Sequence, residues 1–297
     1  MIKGERIFRT SVICAFLIGM AFWPSFSISA EIKDEKPNIV SLDFCSDQFV
    51  LYLADKEQIT AISKAAEDIY SFYRERAIGI PKTSSTIEEV IMLNPDIVVQ
   101  AYSSAAHMDE MTERTGGSLI TTQFGSDPDT VYKNMSMVGK SIGQEDRAIE
   151  FNQNYKRRLK EIKNKPRSEL KIAYITPSGT TAGVGTSVDD IIKLAGFKSY
   201  AEAHGLNGWL SLPVENLVMD PPDIFITGYF EEGAVTQSSW SLARHDYLFK
   251  MMKTIPTINI PSSYMSCNGL FIVDAAERIR IDAAEKGILS NVREVRK

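Results

Sequence analysis

The spacing of apolar positions changes several times along the chain, and each change marks an element. Residues 12–23, VICAFLIGMAFW, form an unbroken apolar run. After a polar stretch, NIVSL (38–42) has the short, β-branched character of a strand, and the helical pattern DQFVLYLA and a second strand-like run, ITAIS (59–63), follow. A helix beginning near Ser85 or Thr86 carries Ile87, Val90 and Ile91 on one face and stops at Asn94-Pro95. The strand IVVQAY comes next, then another helix and SLITTQ. Strands alternating with helices predict a parallel sheet with helices packed on its faces.

From Asp129 the period lengthens. Val131, Met135, Val138 and Ile142, and then Ala148, Phe151, Tyr155, Leu159 and Ile162, recur at steps of three and four on a highly charged background. That spacing predicts amphipathic helix, the second stretch running over 143–166 and ending at Pro166. About twenty helical residues span about 30 Å, enough to lie along two halves of a molecule. The alternation then restarts with KIAYIT (171–176), a Gly/Thr loop, the helix SVDDIIKLAG, the strand DIFITGY, a helical stretch around Trp240, the strand TINI (257–260) and a final helix, LFIVDAAERIRIDAAEKG. The loop PSGTTAGVGT (177–186) lacks a phosphate-cradle pattern and is expected to be a turn whose following helix N-terminus is open to an anion.

The two halves share a phrase. STIEEVIMLNPDIVVQAY (85–102) and LPVENLVMDPPDIFITGY (212–229) align at an offset of 127, with six of sixteen positions identical from Ile87 and Val214 onward. A period this long does not fit a solenoid, but it fits two similar lobes.

Composition narrows the class. The chain has 297 residues, 44% apolar and 24% charged, the profile of a globular protein with room for two domains. Its beginning has Lys3, Arg6 and Arg9, the twelve-residue apolar run and small residues up to Ala30, the pattern of a secretory signal peptide over 1–30. The run falls short of the ~20 residues that span a bilayer. Ile13 before Cys14 does not suit lipid attachment, so retention of the exported chain implies an outer membrane and a periplasm. Loss of three bases and one acid takes the net charge from −5 to −7, a poor balance for nucleic-acid binding. Cys45 and Cys267 then remain; an oxidising compartment favours a disulfide between them, with two free thiols or metal ligation as the alternatives.

Enzyme chemistry finds little support. His107, His204 and His245 are scattered, with no metal-ligand spacing, and no nucleophile-elbow pattern frames a serine. An exported α/β hydrolase, or a zinc or manganese receptor, would need such a constellation. What the chain does carry is aromatic residues at predicted strand C-terminal ends, where open α/β sheets bind ligands. Tyr70, Tyr73, Tyr102 and Phe124 fall there in the first half, and Trp209, Tyr229, Trp240 and Tyr264 in the second, with Arg74 and Arg244 among them. Such rings and cations suit a large, flat or anionic ligand held between two sheets.

The run NIVSLDFCSDQFVLYLADKEQITAIS, the two Pro-Asp phrases, the midpoint helix and the export signal together resemble the periplasmic substrate-binding proteins of iron-siderophore, haem and cobalamin ABC importers. The resemblance covers roughly residues 37–290. It implies an α/β fold of two Rossmann-like lobes with parallel sheets, 37–142 and 168–290, joined by a single long α-helix (143–166), with the ligand in the cleft between them. It also implies that a glutamate on each lobe docks on arginines of the membrane permease. In the corrinoid-binding members that acid lies seven residues before the proline, as do Glu88 and Glu215 here, and a cleft tryptophan lies six before the second acid, as Trp209 does. Both glutamates also read as ordinary first-turn acids favoured by the helix dipole. The chain departs from the cobalamin binders in two places. Its first-lobe loop, AAEDIYSFYRER, has no Tyr-Pro, and it carries a cysteine in each of SLDFCSDQ and YMSCNG. A ferric siderophore or related iron chelate is therefore the expected ligand, with a corrinoid as the alternative. No cofactor, enzyme activity or nucleic acid is expected, and the partner is the permease dimer of an inner-membrane ABC importer, met by a monomer.

Overall fold

In the computed structural model, residues 36–101, 108–229, 246–267 and 269–289 are described. The expected leader (1–30) and the helical stretch around Trp240 lie outside them. Among the described residues no helix is long and apolar enough to cross a membrane.

The first half is one parallel sheet of five strands, β1 (Ile39–Ser41), β2 (Ile59–Ser63), β3 (Lys82–Thr83), β4 (Ile97–Ala101) and β5 (Ser118–Thr122), in the order β3-β2-β1-β4-β5. Helix α1 (Phe44–Leu53) leads from β1 towards β2, α2 (Ile87–Leu93) precedes β4, and α3 (Met108–Arg114) precedes β5. The second half repeats the plan with β6 (Lys171–Ile175), β8 (Lys198–Ser199), β10 (Ile224–Thr227) and β11 (Thr257–Asn259), parallel in the order β11-β10-β6-β8. A two-stranded antiparallel ribbon of β7 (Thr180–Ala182) and β9 (Trp209–Ser211) stands beside it. The Gly/Thr loop read as a turn thus contributes a strand. The central strands alternate little because both sheet faces are covered, and Ile39, Val98, Val99, Ile175, Ile224 and Ile226 are all fully buried.

The repeated Pro-Asp has a structural reason. Asp96 Oδ2 accepts a hydrogen bond from the Asn38 amide at 2.8 Å, just before β1, and Asp223 Oδ2 accepts one from the Lys171 amide at 2.7 Å, at the start of β6. Backbone bonds run the other way, from Asp96 N to Asn38 O and from Asp223 N to Lys171 O. In each half the aspartate locks the register of the two central strands where they begin. The helix before it differs more. Thr86 caps α2 by accepting from the Glu89 amide, and Asn94 closes it in a left-handed conformation, φ 45°. Helix α8 (Val214–Met219) starts after Pro213 without a side-chain cap.

Between the halves lie α4 (Pro128–Ser141) and α5 (Glu145–Lys163). Asp127 caps α4 by accepting from the Thr130 amide, with Pro128 at the first helical position. The periodic residues Val131, Met135, Val138, Ile142, Ala148, Tyr155, Leu159 and Ile162 are buried as their spacing predicts. Helix α5 stops three residues short of Pro166, with Asn164 as its cap. Its side chains reach both halves. Arg147 donates to Leu53 O at 2.7 Å and to Asp55 at 2.5 Å. Eleven residues on, Arg158 pairs with Asp274 at 2.8 Å and Glu277 at 2.6 Å on α11 (Ile272–Glu285). One apolar cluster accordingly runs from Ile39 and Phe49 through Met135 and Tyr155 to Ile172, Ile226 and Ile279.

Candidate functional site

The C-terminal ends of both sheets face each other, because the loops that leave them meet. After β1, Asp43 caps α1 by accepting from the Cys45 and Ser46 amides at 3.0 and 2.9 Å, and Ser46 Oγ accepts in return from the Asp43 amide. The second Asp43 oxygen accepts from the Ala101 amide at 2.7 Å, which ties this helix start to the end of β4. Cys45 is thereby fixed in the first turn. It is joined in a disulfide to Cys267, which follows α10 (Ser262–Met265) beyond β11, with a Cα–Cα distance of 5.1 Å across 222 residues of sequence.

Further contacts close the same seam. Ser266 Oγ donates to Tyr70 O at 2.7 Å, and Ser126 Oγ donates to Asp190 Oδ2 at 2.6 Å, reaching from the loop after β5 to α6 (Ser187–Leu194). Phe72 stacks on Phe271 at 4.1 Å between ring centres and meets Tyr264 edge-on at 5.0 Å. Gly269 lies so close to the first half that a Cβ on it would sit 2.5 Å from Ser126 Cα, and its φ is +89°. Only glycine fits there. Behind the disulfide, Cys45, Thr122, Gln123, Asn134 and Leu270 line a space of about 20 Å³, room for a single water.

The loop after β2 owes its shape to Gln48 of α1. Its amide donates to Ser71 Oγ at 2.8 Å, and its carbonyl oxygen accepts from the Tyr73 amide at 2.8 Å. One residue earlier, Asp47 is fully buried and accepts from the Ser63 hydroxyl and amide at 2.5 and 3.1 Å. Burial pushes its carboxyl up to about 7, against the lowering effect of the serine hydrogen bonds.

The expected ligand residues divide into two kinds. Phe124 beyond β5 and Trp209 at the start of β9 are largely exposed, at 70% and 56%; Trp209 meets Tyr174 edge-on at 6.1 Å. Tyr229 follows β10 half-buried, in a left-handed conformation with φ 61°. Tyr73, by contrast, is engaged in packing. It contacts Tyr52, Phe72 and Phe271, Arg76 covers its ring at 4.8 Å, and burial holds its phenol well above the usual range. Tyr264 packs on Phe72, and Tyr70 lies edge-on to Phe44 at 5.3 Å with its hydroxyl donating to Asp68 at 2.5 Å. That hydrogen bond, more than burial, raises the Tyr70 pKa. Arg74 donates to Ile69 O at 3.1 Å and stands 3.5 Å from Glu75. Tyr102, Trp240 and Arg244 lie outside the described residues. Helix α6 does not offer an open N-terminus: Thr186 caps it, and Asp189 and Asp190 already occupy its first turn.

Comparison with known proteins agrees with this architecture. The family described as "Periplasmic binding protein" matches residues 39–234. The chain belongs to that family. A curated relative, an uncharacterized ABC transporter substrate-binding lipoprotein of Bacillus subtilis (strain 168), is 24% identical over 223 residues, covering 71% of this chain and 70% of the relative. Among solved structures, the periplasmic haem-binding protein HutB of Vibrio cholerae superposes with a TM-score of 0.66 at 16% identity, covering 82% of this chain and 97% of HutB. A possible iron-binding periplasmic solute-binding protein of Staphylococcus epidermidis gives 0.61 at 18% identity, covering 84% and 99%. A periplasmic haem-binding protein of Pseudomonas aeruginosa gives 0.60 at 17%, covering 84% and 92%.

As a periplasmic binding protein, the chain is a substrate-binding component of an ABC transporter and not an enzyme. Its partner is an importer permease, its cargo a small molecule, and its place of work outside the cytoplasm. Sequence reasoning found the rings at the strand ends but passed over two that build the seam, Phe72 and Phe271. Phe72 sits in the same aromatic run as Tyr70 and Tyr73, a usable signal. Phe271 opens LFIVD, where it is indistinguishable from helix core. The Asp43–Ser46 capping box was legible as D-x-x-S ahead of an apolar run.

Proposed function

We propose that this periplasmic binding protein, exported to the periplasm with cleavage after Ala30, captures a ferric siderophore or related iron chelate between its two halves and delivers it to the permease dimer of an inner-membrane ABC importer. Glu88 and Glu215 are the acids that dock on it. The observation that supports the ligand class is the exposure of two large rings, Phe124 from the first half and Trp209 from the second, at the end of the molecule where the two sheets face each other. Exposed rings of this size cost solvation unless a ligand covers them, and a chelate with broad apolar faces does so. The printed names of similar structures, haem-binding and possible iron-binding, support the iron-chelate class.

Calorimetric titration of the mature protein with ferric catecholate and hydroxamate siderophores, haemin and cyanocobalamin tests this. Saturable binding of one iron chelate is expected, with Trp209→Ala and Phe124→Ala each weakening it by about tenfold. Binding of cyanocobalamin alone, or unchanged affinity in both variants, overturns the assignment.

A further inference from the structure

Among the described residues, nine large apolar side chains stand exposed. Four of them form two pairs separated by 127 positions: Ile91 with Val218, and Met92 with Met219. The methionines are the most exposed of the nine, at 84% and 87%. Each pair lies three and four residues after an exposed glutamate, Glu88 on α2 and Glu215 on α8, so that acid and apolar side chains share one helix face. The opposite faces are spent on the core, through Val90 and Leu217, which also match at the same offset. The repeat therefore preserves two things: the packing of each helix, and an outward triad of Glu-Ile-Met or Glu-Val-Met that packing does not require.

We propose that Ile91-Met92 and Val218-Met219 are the apolar contacts of a bidentate docking surface for the ABC permease, each filling an apolar recess rimmed by basic groups that receive Glu88 or Glu215. This rests on the transport reading above. Two equivalent patches on one chain fit a partner made of two equivalent subunits. A second copy of this chain fits less well, since pairing of patch on patch would set Glu88 against Glu215 with no basic group in either triad to receive them. Methionine suits the task because its unbranched, polarizable side chain adapts to a recess as it is covered. The carboxylates steer and orient, while the methionines lose water only on contact. The two engagements reinforce each other, because the second occurs within an already formed complex.

Binding of the full mature chain to its importer, reconstituted in nanodiscs, tests the surface at 50 and 500 mM salt. The variants are Met92→Ser with Met219→Ser, and Glu88→Gln with Glu215→Gln. The methionine pair should weaken binding about 100-fold at both salt concentrations, and each single variant about tenfold. The glutamate pair should weaken it at low salt far more than at high salt. Chelate affinity should be unchanged in all. If the wild type binds and the methionine pair binds equally well, this inference fails while the transport reading stands. If the wild type binds no permease, both fail. A wild type that self-associates in sedimentation, with a methionine variant that does not, reassigns the surface to a second copy and overturns the permease as its occupant.

Discussion

The two halves follow one plan around their central strands and depart from it at their ends. In both, the second central strand starts with a Pro-Asp whose carboxylate takes an amide from the first, and the helix before it buries one apolar position and exposes a Glu and a Met. The first sheet adds an outer strand, β3, that the second sheet lacks, and the second half adds the β7–β9 ribbon that carries Trp209. The first helices contrast as well. Asp47 of α1 is buried among serine donors, whereas Asp189 of α6 is buried against Lys193 at 2.8 Å. Burial pushes Lys193 down, but hydrogen bonds and charge from Asp189 and Glu202 outweigh it and hold it above its ordinary value. Shared features belong to the scaffold and to the outward face. Divergent ones lie in the outer strand, the added ribbon and the first helices, while the seam adds contacts that neither half makes alone.

The largest break in that comparison comes from the seam itself. Replacing Cys45 and Cys267 with serine frees a loop of more than 200 residues, and thermal unfolding should show a loss of about 3–5 kcal/mol, or ~5–15 °C in Tm. An unchanged Tm would mean that the remaining inter-half contacts already hold the chain in register.

The next effect separates the two buried acids by pH. The Asp47 carboxyl, near 3.8 when unfolded and about 7 when folded, stabilises the fold in its protonated form. That contribution is complete below pH ~4 and is lost as pH rises through 7. The stake is of the order of 4 kcal/mol. In Asp47→Asn this part of the decline in stability between pH 4 and 8 should disappear, because the amide keeps an acceptor for the Ser63 amide and needs no proton. A wild-type slope preserved in the variant would place the titration elsewhere.

The smallest effect sharpens the likeness. Asp96→Ala and Asp223→Ala each remove one strand-start clamp and should each cost about 1 kcal/mol, equal within error, by denaturant unfolding. A marked inequality would show that the repeated residue has come to serve different ends in the two halves.

Legibility followed the range of the forces involved. Strands β2 and β6 and helices α5 and α11 were readable because hydrophobic periodicity is a local consequence of burial on one face. The short strands β3, β7, β8 and β9 were not. Two or three residues carry no period, and only their hydrogen-bonded neighbours make them strands. Within the site, the positions of Tyr70, Tyr73, Phe124 and Trp209 were legible as strand-end aromatics. Their division into partly buried and exposed was not, since Tyr73 is covered by Phe271, almost 200 residues away.

Sequence by itself determined the alternating α/β series, the amphipathic helix over Glu145–Lys163 and the 127-residue repeat with its glutamates, because each depends on residues within a few turns or strands of one another. Cys45 and Cys267, expected to pair as the two cysteines of an exported chain, do so because the fold sets their Cα atoms 5.1 Å apart. Tertiary structure alone decided that Gly269 admits Ser126, and that Met92 and Met219 face outward in matching places. Those outcomes depend on how two sheets are set against each other, a geometry that local propensity does not encode and that packing of the shared core imposes.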